Sequence, residues 1–494
     1  MLNLLTPKKT KRIHNQPFEV MGLPMIMHKS RIFRRWQAFA LSLALFTPLS
    51  VAIQTNAMAK DLRFITLAPG HFHAALVQKQ MLPGVAPTVT VYAPLGLDLT
   101  EHIKRVVGFN TRVDSPTTWA LDVHAGADFV SQFRNERPGS VVVISGRNAG
   151  KISLIETAID AGMHVLVDKP WIIEASDFEK LSGVLAKAKK KKLLAYDIMT
   201  ERFEPTNALQ KALVNTPDVF GQLQTGTAQA PGVYIENVHH FMKSVAGKLN
   251  LRPTWFFDSQ QQGEGMADTG THLVDLVQWT LAPEQVLDAN REVQVVGAQR
   301  WSTNVSAQQF QTVTGSEAPF PSELKVFANT QVTYKLRGAF IKMASMWNWQ
   351  APAGGGDWHY AVYRGSRANV EIRQGSKEKF VPELFVVPNA PSDWAMVEKA
   401  LTARIAELSA AFPGVAVKTE GPLLHVVIPA ALRMGHEAHF SEVTRMFLGY
   451  LRTPSSLPAW ESANMLAKYT VTTQASKLSR EAPPLASFVS KAPR

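Results

Sequence analysis

Residues 165–171 read Val165-Leu166-Val167-Asp168-Lys169-Pro170-Trp171: three apolar residues in a row, then an acid, a base and a proline. An unbroken apolar run of this length suits a strand covered on both faces, as strands of a parallel sheet are. The polar residues arrive where such a strand ends. In open α/β sheets ligands gather beyond the carboxyl ends of the strands, so Lys169 is expected to project into a cleft. An ammonium placed there can hold a substrate hydroxyl by a charge-assisted hydrogen bond and stabilise an alkoxide as hydride leaves.

On either side of this stretch the same pattern repeats. Leu62 to Leu67 reads as a first strand with a helix after it from His73 to Gln80, and Val89 to Tyr92 reads as a second strand. Val141 to Ile144 is another buried strand, and a helix from about Lys151 to Ala161 precedes the strand at His164 to Val167. Ser176-Asp177-Phe178-Glu179 has the spacing of a capping box, so a helix is expected from there to the lysines at 189–192, which suit its carboxy-terminal turn. Leu193 to Tyr196 closes the series. Strands alternating with helices predict a Rossmann-type, doubly wound parallel sheet over residues 60–200. Beyond residue 200 the period changes: Gln331-Val332-Thr333-Tyr334-Lys335-Leu336 alternates, and Gly354-Gly355-Gly356 marks a turn. Residues 201–494 are therefore expected to form an α+β domain, a large and mostly antiparallel open sheet with helices on one face.

The turn after the first strand, Ala68-Pro69-Gly70-His71-Phe72-His73, stands where a dinucleotide fold binds diphosphate. Of the three glycines of G-x-G-x-x-G only the middle one, Gly70, is kept. Gly70, His71, Phe72 and His73 are the expected cofactor contacts here. Ser145, Arg147 and Asn148 join them from the end of the Val141 strand, and Asp168, Lys169 and Pro170 from the end of the next. The second strand ends in Tyr92-Ala93-Pro94, without the acid that would hold a ribose hydroxyl, so the turn itself does not choose between NAD and NADP; NAD is taken first.

A third segment, Asp268-Thr269-Gly270-Thr271-His272-Leu273-Val274-Asp275, places Asp268, His272 and Asp275 at i, i+4 and i+7, one stripe of a helix. A histidine with a carboxylate one turn away is a suitable general acid or base, because the carboxylate orients the ring and supports its protonated form. Asp275, His239 and His240 are expected substrate contacts. His359, His436 and His439 are assigned structural or substrate-contacting roles rather than metal ligation, because no pair has a recognised metal-motif spacing.

A strand-end Asp-Lys-Pro followed about a hundred residues later by Asp-x-Gly-x-His-x-x-Asp resembles the glucose-fructose oxidoreductase, inositol dehydrogenase and rhizopine-catabolism (Gfo/Idh/MocA) family, over residues 61–282. The resemblance implies an NAD(P)-dependent oxidoreductase acting on a CH–OH group of a sugar or polyol. Lys169 would be the catalytic lysine and Asp268 with His272 the acid/base pair, and the open sheet would make homo-oligomer contacts. Asp168 replaces the family's usual glutamate, and two turn glycines are lost. Gly70-His71-Phe72-His73-Ala74-Ala75-Leu76 and the long tail look like an exported subgroup. Three rivals remain: a glycosidase- or lyase-like enzyme working through transient sugar oxidation, a non-catalytic exported sugar-binding protein, and a metal-dependent hydrolase.

The chain has 494 residues, a formal charge of +12 and no cysteine, which excludes disulfides, thiolate metal sites and cysteine nucleophiles. More than half of the net charge lies in residues 1–59, where Lys8, Lys9, Lys11, Arg12, Lys29, Arg31, Arg34 and Arg35 face Glu19 alone. The rest carries no basic concentration that would suggest nucleic acid. Lys29 to Arg35, the apolar run from Ala38 to Ile53 and Ala57-Met58-Ala59 read as a cleaved signal peptide, giving a periplasmic protein without a stable membrane anchor.

Overall fold

The computed structural model describes residues 62–245, 248–317, 323–486, 488 and 490. The expected leader lies outside them. Among the described residues no helix is long and apolar enough to cross a membrane.

The first sheet contains β1 (Leu62–Leu67), β2 (Val85–Ala93), β3 (Ala120–Ala125), β4 (Val141–Ile144), β5 (His164–Asp168) and β6 (Ala195–Ile198). They lie in the order β3-β2-β1-β4-β5-β6 and every pair is parallel. This is the expected doubly wound sheet, with its order reversing between β1 and β4. All four residues of β4 are buried, as its Val-Val-Val-Ile text requires. β3 escapes the sequence reading because it is an edge strand: most of Ala-Leu-Asp-Val-His-Ala faces solvent, so no apolar run marks it. The helix after β1 is a single turn, His73–Leu76, shorter than expected. Ser176 is not a cap. A 3-10 turn, Ala175–Asp177, leads directly into the helix Phe178–Lys190, and no side chain caps it.

The second sheet is built from β7 (Val233–Met242), β10 (Val293–Ser306), β11 (Glu323–Leu336), β12 (Ala339–Gln350), β13 (Trp358–Arg364), β14 (Ala368–Gln374), β15 (Glu383–Pro388), β16 (Ala416–Glu420) and β17 (Leu423–Val427). A short hairpin, β8 (Ser244–Val245) and β9 (Lys248–Leu249), stands apart from it. The order is β10-β11-β12-β7-β13-β14-β15-β17-β16, and only β7 with β12 runs parallel. Val233 and Ile235 of β7 enter one core with Leu273, Val274 and Val277 of the helix Thr269–Leu281, which fixes the helix-covered face.

The chain then returns to the first sheet. Helix His436–Arg452 places Phe440, Val443, Phe447 and Leu448 among Phe64, Val141 and Tyr196. Burying a side chain of this size stabilises by about 1.5–3 kcal/mol. The last helix, Glu461–Glu481, inserts Met465 and Tyr469 into the first sheet's core and Ala467, Val471 and Ala475 into the second's. These two returns tie the sheets together and bring His436 over the β1 turn.

Candidate active site

β5 ends at Asp168, and the next residue crosses to the second sheet's domain. Lys169 Nζ donates to Asp268 Oδ1 at 2.7 Å and to the Asp268 carbonyl oxygen at 3.0 Å. The two side chains are only 8% and 15% exposed. Asp268 precedes the helix Thr269–Leu281 but makes no capping bond to it; its carboxylate is turned to Lys169 instead. Burial by itself would lower Lys169 and raise Asp268. Each is reversed by the other's charge, so Lys169 is raised and Asp268 falls to about 2. Gly265, just before, has to be glycine because a methyl group there would run into the Ala328 carbonyl oxygen of β11.

His272 lies one turn into that helix, and its buried Nδ1 has no hydrogen-bond partner. Burial, aided by the charge of Lys169, lowers its pKa to about 4. Because Asp268 is engaged by Lys169, the expected orientation of His272 by Asp268 is corrected. The carboxylate that acts on the ring most strongly is Glu201, in the 3-10 turn Thr200–Phe203 after β6. Glu201 lies 3.3 Å from His436 Nδ1, and His436 Nε2 lies 3.5 Å from His73 Nε2. Burial would raise Glu201, but His436 holds it well below the usual carboxylate range. His439 is buried 4.0 Å from Glu204, whose carboxyl is raised to about 7 by burial and by Glu201. None of this was legible in the spacing, because it depends on helix His436–Arg452 returning to the first sheet.

Asp275 is not a substrate contact. Arg202 grips both its oxygens at 2.7 Å, and Lys468 Nζ reaches Oδ1 at 3.1 Å while also pairing with Asp197 at 2.9 Å. Burial would raise this carboxyl, yet the two cations hold it far below the usual range. His239 and His240 follow the two-residue alternation of β7. His239 takes the face of Val233 and Ile235, toward the helix Thr269–Leu281, with Trp347 at 5.1 Å between ring centroids. His240, the next residue, is buried, with its Nδ1 on the same carboxylate that holds His239. Asp357 at the strand ends accepts from both, at 3.2 and 3.1 Å.

At the β1 turn, the backbone N–H groups of Gly70 and His71 both donate to the Ser145 carbonyl oxygen, at 3.0 and 3.1 Å. The β1 and β4 turns meet so closely that a methyl group on Gly146 would strike the Ala68 carbonyl oxygen. A Cβ on Gly70 would lie 3.2 Å from Asp98 Oδ2. Asp98 accepts from Trp255 Nε1 at 3.2 Å and pairs with Arg147 at 3.4 Å. Phe72 carries the Arg105 guanidinium over its ring. The remaining expected cofactor contacts use their polar atoms inside the protein. Ser145 Oγ and His73 Nδ1 meet Asp168 Oδ2 at 2.8 and 3.0 Å, and Asn148 binds Gln262 and Lys151. Pro170, joined to Lys169 by a cis peptide, is buried.

A family profile described as "Putative oxidoreductase C terminal domain" matches residues 209–480. A solved structure described as a "putative oxidoreductase from Parabacteroides merdae" is 44% identical, with 85% of this chain and 98% of that chain covered and a TM-score of 0.82. The fold is shared more distantly with GenD2 from gentamicin A biosynthesis in complex with NAD (15% identity, 85% and 95% covered, TM-score 0.50). It is also shared with KijD10, a 3-ketoreductase from Actinomadura kijaniata in complex with TDP-benzene and NADP (13% identity, 84% and 96% covered, TM-score 0.50). A search of the curated proteins finds no match.

Proposed function

The chain belongs to the oxidoreductase family defined by that carboxy-terminal domain, and on this premise we propose that it is a nicotinamide-dependent enzyme interconverting an alcohol and a carbonyl on a sugar or polyol. The observation that carries the reading is the buried Lys169–Asp268 pair at 2.7 Å, with His272 one turn beyond it. It puts a cation and a proton acceptor together at the carboxyl end of the sheet.

A nicotinamide dinucleotide fits the residues present. Gly70 stands at the switch point between β1 and β4, where its N–H is held by the Ser145 carbonyl oxygen and the Asp98 carboxylate lies beside it, so a diphosphate would be met by side chains at the rim of the turn rather than by the turn's own N–H groups. Arg147, whose side chain is half exposed, supplies a cation beside it. Arg147 would meet the diphosphate beside the Gly70 turn, with Phe72 next to it, and Lys169 with Pro170 would border the nicotinamide end. When bound, the group accepts or delivers a hydride at the substrate carbon.

His272, neutral at neutral pH because burial lowers it to about 4, takes the proton of the substrate hydroxyl. Lys169, kept charged by Asp268, donates to the same oxygen and stabilises the alkoxide. Glu201 supports the imidazolium that forms. In the reverse direction His272 returns the proton to the carbonyl oxygen. His239, on the cleft face beside Trp347, is offered as the contact to the rest of the sugar. The basic and apolar leader supports export to the periplasm with cleavage before Lys60, and an exported enzyme is best served by a cofactor that it carries tightly and recycles between two substrates. The open sheet is the surface for homo-oligomer contacts.

The test is full-length protein with NAD or NADP against a panel of aldoses, polyols and glycosides, reading reduced nicotinamide. Turnover of one of them that is lost in Lys169→Ala supports the reading. Failure to bind either dinucleotide contradicts it.

A further inference from the structure

We propose that His71, His73 and Asp168 form a divalent transition-metal site, of the kind that takes Zn2+, at the β1 turn. Their ligand atoms all lie within 4.8 Å of one another. His73 Nδ1 and His71 Nδ1 stand 3.0 and 3.4 Å from the same oxygen, Asp168 Oδ2. A tetrahedral zinc ion with bonds of 2.0–2.1 Å needs ligand atoms about 3.3–3.4 Å apart. Two imidazoles and one carboxylate leave the fourth position for water or another oxygen donor.

A second observation points to an ion. Asp168 Oδ2 already accepts from Ser145 Oγ at 2.8 Å and from His73 Nδ1 at 3.0 Å, which occupies its two lone pairs. His71 Nδ1 stands 3.4 Å from this same oxygen, a third group crowded onto one carboxylate oxygen, and has no other partner. An ion accepting lone pairs from both rings and the carboxylate would satisfy all three groups.

The surroundings have the outer partners that metal-bound histidines use. His73 Nε2 faces His436 Nε2 at 3.5 Å, and His436 Nδ1 faces Glu201 at 3.3 Å, a histidine-to-carboxylate relay that orients the inner ring. Lys169 is neutralised by Asp268 and leaves the Asp168 carboxylate for the ion. His71 is the most exposed of the three, at 19% of its side chain, so the open position is reached past it. The inference does not rest on the oxidoreductase reading.

The experiment uses full-length protein made without a histidine tag, stripped with chelator and titrated with Zn2+ by calorimetry, with Co2+ as a visible-absorption probe. The expected result is one equivalent of Zn2+ and tetrahedral Co2+ bands. His73→Ala and Asp168→Asn should abolish both, His71→Ala should weaken binding at least about tenfold, and the exposed His124→Ala should leave it unchanged. His71→Ala carries the test if the buried variants fail to fold. No Zn2+ bound by the unaltered chain, or equal binding by His71→Ala, overturns the proposal.

Discussion

Asp268 turns its carboxylate away from the helix it precedes and onto Lys169, 99 residues earlier in the chain, at 2.7 Å. A residue that the helix could have used as a cap instead fixes the charge of a lysine from the other sheet. Lys169→Ala should therefore lower turnover by about a hundredfold or more, a scale typical of positioned acid–base groups. His272→Ala should do the same while dinucleotide binding survives. Steady-state kinetics with calorimetric cofactor binding checks both, and near-normal turnover in either variant would show the chemistry to be misplaced.

The buried histidines set a pH dependence. Burial chiefly lowers His102, His272 and His359 from 6.5 to about 4. Between those values the unfolded chain binds protons that the folded chain does not, so stability rises with pH across this window. It is complete above about pH 6.5 and is lost as pH falls toward about 4. His102 is the cleanest test, because neither of its ring nitrogens has a partner. His102→Leu should raise the melting temperature more at pH 5 than at pH 7, measured as thermal midpoints across that range. Alcohol oxidation, by contrast, should fade only near pH 4, where His272 in the folded chain takes up its proton.

Asp275 holds Arg202 and Lys468 together in the interior. Asp275→Ala strips one carboxylate from each of two buried cations, leaving Glu461 to hold Arg202 and Asp197 to hold Lys468, and should lower stability by no more than the about 3–5 kcal/mol of a fully broken buried pair, read from denaturant unfolding. If the residue contacted substrate instead, KM would rise with the unfolding midpoint unchanged.

The fold was largely legible because buried parallel strands such as Val141–Ile144 write themselves as apolar runs, and Gln331 to Leu336 alternates as a half-buried strand does. The edge strand β3, with no face fully covered, left no such mark. In the site, Lys169 follows the end of β5 and Asp268 precedes the helix Thr269–Leu281, with His272 one turn into it, so local pattern sufficed to single them out. Helical spacing then misassigned Asp275: i+7 places a carboxylate on the stripe but not the Arg202 and Lys468 that take it up. Glu201, His436 and the Asp98–Trp255 contact are set by chain returns of 157 residues or more in the last case, which no local pattern encodes. The His71–His73–Asp168 cluster is hidden for the same reason, since the carboxylate comes from a strand two elements of the sheet away.

Arg147 is the cation assigned to the diphosphate, and Asp98 is the carboxylate that holds it at the Gly70 turn. Arg147→Ala should weaken dinucleotide binding by about tenfold, equivalent to about 1.4 kcal/mol, and Asp98→Asn should not weaken it. Fluorescence titration with NAD and with NADP measures both variants and ranks the two cofactors.

The central claim is that this chain binds a nicotinamide dinucleotide and passes hydride between it and a sugar-like alcohol at Lys169. The direct measurement is to incubate purified full-length protein with the sugar and polyol panel, denature it, and assay the supernatant for oxidised and reduced dinucleotide. The account predicts bound dinucleotide whose redox state is changed by a substrate in the unaltered chain and not in Lys169→Ala. A supernatant without dinucleotide, together with no reduction when NAD or NADP is supplied, would contradict it.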